Sequence, residues 1–164
     1  MASVFRAIAA ICGAIVLLSA SACADPLPES EIRAAMATVE RMLLDSGVNV
    51  AGYSATPVPH VERVSPAHIY MQGNDGAYVG GRIYISESAI ADCRGLILLH
   101  EIVHDATVKL GLFKAVPNDR IRDLIEALAD QVTEAAAQNP YRPGCVTHRN
   151  RDISTAELVN LAMK

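Results

Sequence analysis

Clustered positive charge, long apolar runs and cysteine are all scarce in this chain of 164 residues. Lys and Arg number 14 against 18 Asp and Glu, and they gather into no basic patch or stripe. Phosphate backbones are held by clustered Lys and Arg, so nucleic acid is not an expected partner. Beyond the first two dozen residues no apolar stretch is long and uncharged enough to span a bilayer, which takes about 20 residues. Internal repeats and low-complexity tracts are absent.

What is present begins with an export signal. Arg6 is followed by the apolar run from Ala7 to Leu18 and then by the small residues Ser19 to Ala24. That order is the pattern of a secretory leader, with cleavage after Ala22-Cys23-Ala24. Residues 1–24 are therefore expected to leave, and the protein is expected to be periplasmic or secreted. The alternative is a lipoprotein box ending at Cys23, although Ala20 stands where such boxes usually carry Leu. Only lipidation of Cys23 would bring this chain to a membrane. Residues 25–164 suffice for one domain and one core. Arg6 is the only charge lost with the leader, so that domain carries a formal −5. Cys93 and Cys145 remain as an even pair, which reads as one disulfide in an oxidising compartment.

Along the chain, Ile32, Ala35, Met36, Val39, Met42 and Leu43 recur at helical spacing after Pro28 and stop at Gly47. Residues 48–66, with Pro57, Pro59 and Pro66, read as an irregular connector. Strands are expected at His68–Met71, Ala77–Val79 and Arg82–Ser86, the first two joined by the turn Asn74-Asp75-Gly76. Tyr70, Tyr78 and Tyr84 read as sheet packing. A buried helix is expected from near Ser88 to Leu110, and a second from about Asp119 to Gln138. Ser154-Thr155-Ala156-Glu157 is a capping box for a short final helix. The fold class is α+β: an N-terminal helix, a short three-stranded sheet, an active-site helix and a ligand helix.

The chemistry concentrates at His100-Glu101-Ile102-Val103-His104. Histidines four apart on a helix project from one face, so both imidazoles reach one ion. The Glu between them sits where it can meet a metal-bound water without ligating the metal. Burying these three polar residues in an otherwise apolar helix is costly without a partner. A catalytic zinc takes three protein ligands and keeps one position open. A metzincin would supply a third His six residues after His104, where Leu110 stands, so that class is excluded. The second helix offers Glu126, with Asp130 one turn on and able to accept the other ring N–H of His100. Asp123, Glu134 and His148 are the alternative third ligands. Asp105 reads as a surface pair with Lys109, and His60 and His68 as ordinary surface histidines.

HExxH followed by an ExxxD helix resembles the gluzincins, the thermolysin-like zinc peptidases. The resemblance spans residues 66–135 and implies a minimal, single-domain form. It implies Zn²⁺ held by His100, His104 and Glu126, with Asp130 orienting His100 and Glu101 as general base. It also implies a peptide or protein substrate laid along an edge strand just before the active-site helix, the place of residues 82–86. A Tyr and a His stabilise the oxyanion in such enzymes, and Tyr141 and His148 are the candidates here. Ile125 stands where the family has Asn before the ligand Glu. The expected function is zinc-dependent peptide hydrolysis. The rivals are a zinc hydrolase of a non-peptide amide or ester, and a non-catalytic scaffold with structural zinc.

Overall fold

The computed structural model describes residues 26–89, 91–137 and 153–163. The leader, Cys23, Tyr141, Cys145 and His148 lie outside the described residues. The elements are α1 (Glu29–Asp45), β1 (His60–Val64), β2 (Gly76–Val79), β3 (Arg82–Ser86), α2 (Arg94–Leu110), α3 (Asn118–Ala136) and α4 (Thr155–Ala162). This is the expected α+β class. Among the described residues, no helix is long and apolar enough to cross a membrane.

α1 follows Pro28, places Glu29 and Glu31 in its first turn, and buries Ile32, Ala35, Met36, Val39 and Leu43. Acidic residues there complement the positive end of the helix dipole. Its end has a direct cause. Gly47 adopts φ 90°, and Gly47 and Val48 return their N–H groups to the carbonyls of Leu44 and Leu43. A glycine accepts that left-handed conformation without a side-chain clash. At the other end of the chain, Ser154 accepts the Glu157 N–H at 3.2 Å, which starts α4 as the capping pattern predicts.

The sheet departs from expectation in three ways. β1 forms inside the proposed connector, because Pro57 and Pro59 precede the strand without interrupting it; Val61 and Val64 turn inward while His60 and Glu62 stay outside. Residues 68–71 form successive tight turns instead of a strand, with His68 bonded to Ser65, Met71 to His68 and Asn74 to Met71. Gln72 and Gly73 both take positive φ there, which ends any extended run. Lastly, the strand order is β1-β3-β2, with β3 parallel to β1 and antiparallel to β2. Residues 82–86 are thus the central strand and not an edge. Ile83, Tyr84, Ile85 and Ser86 are all buried, as a strand covered on both faces should be.

α2 begins at Arg94, after a short 3₁₀ turn at Ala91–Cys93, and stops at Gly111 with φ 61°. It starts later than Ser88 because Ser86 Oγ takes the Ser88 N–H and holds that segment in a turn. Cys93, at the helix entrance, is disulfide-bonded. Its expected partner, Cys145, lies outside the described residues. Ile97, Leu98, Ile102, Val103 and Ala106 of α2 belong to one apolar core with α1, β3 and α3.

Asp105 is fully buried, which corrects its reading as half of a surface pair. Lys109 does reach it, at 2.8 Å, but so does the hydroxyl of buried Tyr53, also at 2.8 Å. Burial first, and then the charge of Asp105, push the Tyr53 hydroxyl pKa up, so it remains a donor. Glu40 of α1 fixes the turn that carries Tyr53 by accepting the N–H groups of Gly52 at 2.7 Å and Ser54 at 2.6 Å. Lys109 also donates to the Pro57 carbonyl at 2.6 Å, tying the segment before β1 to α2. Removing one donor from a buried carboxylate costs about 1–3 kcal/mol. Tyr53→Phe is therefore expected to lower unfolding free energy by that amount in urea, with an unchanged denaturant slope. A shift below about 0.5 kcal/mol, the usual range for surface changes, would show that Lys109 alone satisfies Asp105.

Candidate metal centre

α2 and α3 pack antiparallel, so residues advancing along α3 meet residues receding along α2. Glu126 lies beside His104 and His100, and Asp130, one turn on, lies beside His100 alone. The rings of His100 and His104 stand 5.1 Å apart, as their spacing dictates. Glu126 Oε2 is 3.3 Å from His100 Nε2 and 3.7 Å from His104 Nε2. All three ligand atoms lie within 4.8 Å of one another, close enough to bind a metal ion. Two donors at zinc-like bond lengths on a tetrahedral ion stand about 3.3–3.4 Å apart, close to the separations found.

The protonation states suit a cation. Burial pushes His104 down to about 4, and the neighbouring charge of His100 acts the same way. A neutral imidazole is the form that ligates. Burial also disfavours charge on His100, but its hydrogen bond to Glu126 and the charges of Glu101, Glu126 and Asp130 outweigh that and raise its pKa. Glu126 is held below the usual carboxylate range, chiefly by the bond from His100. The acidic groups around the two rings therefore favour positive charge in the space between them. Asp130 Oδ1 stands 3.5 Å from His100 Nδ1, on the side of the ring away from Glu126. That leaves Nε2 facing the other two ligands.

Asp123 and Glu134 are not part of the group, and it is the only such cluster among the described residues. His60 pairs with Glu62 at 3.7 Å on the surface, and His68 stacks on Tyr84 with centroids 5.2 Å apart. Neither belongs to the centre. Tyr141 and His148 lie outside the described residues.

Glu101 is only 6% exposed, and burial pushes its carboxyl up to about 7. The charge of Glu126 adds to that rise, and His100 opposes it. The wall beside it is the start of β2. A methyl group added to Gly76 would lie 2.5 Å from Glu101 Oε1 and 2.7 Å from Ile97 Cγ2. Gly76 is therefore needed for close approach to α2 and not only for the preceding turn. Two residues on, and so on the same face of β2, Tyr78 lays its ring nearly parallel to His104, 6.4 Å away at 13°. Tyr78 was expected only to pack in the sheet; its place two residues after a glycine that touches α2 is the signal that marks it. These groups open into a cleft of about 830 Å³, bounded by residues 72–79 on one side and by Arg122, Ile125 and Glu126 of α3 on the other.

No protein-family model, curated protein or solved structure matches this chain.

Two predictions follow from the geometry of the site. The protein should bind about one divalent transition metal per chain by elemental analysis. Binding should be lost in His100→Ala and His104→Ala and much weakened in Glu126→Ala, as for a three-ligand site. Full occupancy in Glu126→Ala would move the third ligand elsewhere. Gly76→Ala should keep the metal, since it touches no ligand, yet lower stability by about 1–3 kcal/mol through overpacking. An unaltered denaturation midpoint would mean that Glu101 and Ile97 yield freely.

Proposed function

We propose that this protein is an exported zinc-dependent hydrolase of peptide bonds, a minimal relative in kind of the gluzincins. The observation that carries the reading is Glu101. It is a buried carboxylate beside a His-His-Glu cluster, facing an open cleft, with its pKa near neutrality. A closed structural zinc site has four protein ligands and no use for a base at its edge. The two imidazoles and one carboxylate favour zinc among the common ions and leave room for substrate. When bound, zinc would polarise the scissile carbonyl and make a water more acidic.

The chain's own residues supply the remaining steps. Glu101 takes the proton of the attacking water on its carboxylate and delivers it to the leaving nitrogen. A group whose pKa lies near the working pH serves both transfers. Asp130 holds the orientation of His100, and Glu126 keeps a negative charge in the ligand set. Among the described residues β2 is paired on one side only. Residues 76–79 line the cleft, which suits the addition of an extended peptide to that strand as a further strand. That role was expected of residues 82–86 and moves to residues 76–79. Export is supported by the leader-like N-terminus and by the disulfide at Cys93, since such bonds persist outside the cytoplasm.

Glu101→Gln keeps the shape of the side chain but cannot take a proton. The variant should fold and hold metal like the wild type, while hydrolysis of a peptide library falls by at least about a hundredfold. Surviving activity would assign the base elsewhere. A metal-loaded wild type that cleaves esters or other amides but no peptide would replace the substrate class and keep the mechanism.

A further inference from the structure

Arg122 lies one turn before Glu126 on the stripe of α3 that carries Arg122, Glu126 and Asp130. It is exposed and lines the cleft. Among the described residues lining that cleft it is the only Lys or Arg, against Asp75, Glu101, Asp123, Glu126 and Asp130. It makes no ion pair within the described residues, although Glu126 stands at i+4, the spacing at which such pairs normally form. Its charge is nonetheless felt at the centre, where it helps lower the pKa of both His104 and Glu126.

We infer that Arg122 is a specificity-determining residue that receives a carboxylate of the peptide substrate about two residues from the scissile bond. The inference rests on the peptide-hydrolase reading of the cleft. The spacing comes from the helix. Four residues rise about 6 Å along α3, and an extended peptide covers about 6–7 Å in two residues. A guanidinium presents a fork of donors that matches a carboxylate in two hydrogen bonds. Among the described residues the other formally charged side chains lining the cleft are all carboxylates, so Arg122 is the one fixed cation of the walls that a substrate carboxylate can meet. Position, and not charge alone, is then selected. The carboxylate has two sources, the free C-terminus of a short peptide or an acidic side chain within a longer one.

The test is binding of three peptide hydroxamates to the zinc-loaded protein, each with the chelating group in place of the scissile amide. One ends in a free carboxylate two residues on, one is its neutral amide, and one is an amide with Glu at that second position. The wild type should bind one of the two acidic ligands roughly tenfold to a hundredfold more tightly than the neutral amide, the range of a charge-assisted pair. Whichever acidic ligand wins identifies the source. Arg122→Gln should bring the acid-to-amide ratio close to one, and Arg122→Lys should retain part of it, with metal content unchanged in both. Equal affinities in the wild type, or a ratio that survives in Arg122→Gln, overturns the role of Arg122 alone. Failure of all three hydroxamates to bind a metal-replete wild type overturns the peptide-hydrolase reading, and this inference with it.

Discussion

Glu126 faces two histidines across the seam between α2 and α3, and the site depends on that seam being fixed. A shift of one turn along the helix, about 5.4 Å, would put Asp130 or Arg122 where Glu126 stands. Register is held by apolar residues on both helices, with Leu124, Ala127, Leu128 and Val132 of α3 buried against the same core as Ile97, Ile102 and Ala106. Interiors of this kind are close-packed and resist sliding. The ligand group is therefore prearranged, and a metal ion would enter it without requiring the helices to move.

α2 is also held by the sheet. β2 reaches the helix at Gly76, where no side chain intervenes, and Tyr78 covers His104. The result is a helix held between α3, which brings Glu126, and β2, which meets both Glu101 and His104. β3, buried on both faces, joins β2 to β1 and the core.

The parts of this arrangement that were legible in the sequence are those set by local spacing. His100 and His104 share a face at i, i+4 whatever surrounds them, and Glu126 and Asp130 do the same on α3. The return of α3 beside α2 follows from a glycine stop at Gly111 and the Pro117 start. What was not legible depended on partners distant in sequence. Asp105 reads locally as paired with Lys109, and nothing nearby reveals Tyr53, more than fifty residues earlier, as its buried donor. β1 was hidden because Glu62 and Arg63 interrupt its apolar pattern, and only the parallel pairing with β3 makes it a strand. His68–Met71 has strand-like composition, yet Met71 is buried by a turn and His68 is drawn to the ring of Tyr84. Strand composition measures fit to a half-buried surface, and that surface is set by neighbours the local sequence does not name.

α2 carries two buried carboxylates one turn apart, Glu101 and Asp105, and the fold treats them differently. Asp105 receives the Tyr53 hydroxyl and the Lys109 ammonium, and is closed off from solvent entirely. Glu101 makes no hydrogen bond among the described residues, and its carboxylate opens on the cleft. A side chain at position 76 would be near enough to Glu101 to carry a donor. Instead, position 76 has no side chain, and the neighbouring charge of Glu126 makes ionisation of Glu101 harder. Among the described residues Asp105 also keeps one oxygen, Oδ1, without a hydrogen-bond partner, so the two carboxylates differ in where they face, Asp105 into the core and Glu101 onto the cleft. Of the two, Asp105 is enclosed by the scaffold, and Glu101 is the one that lines the cleft, which is why the proposed base role falls to it.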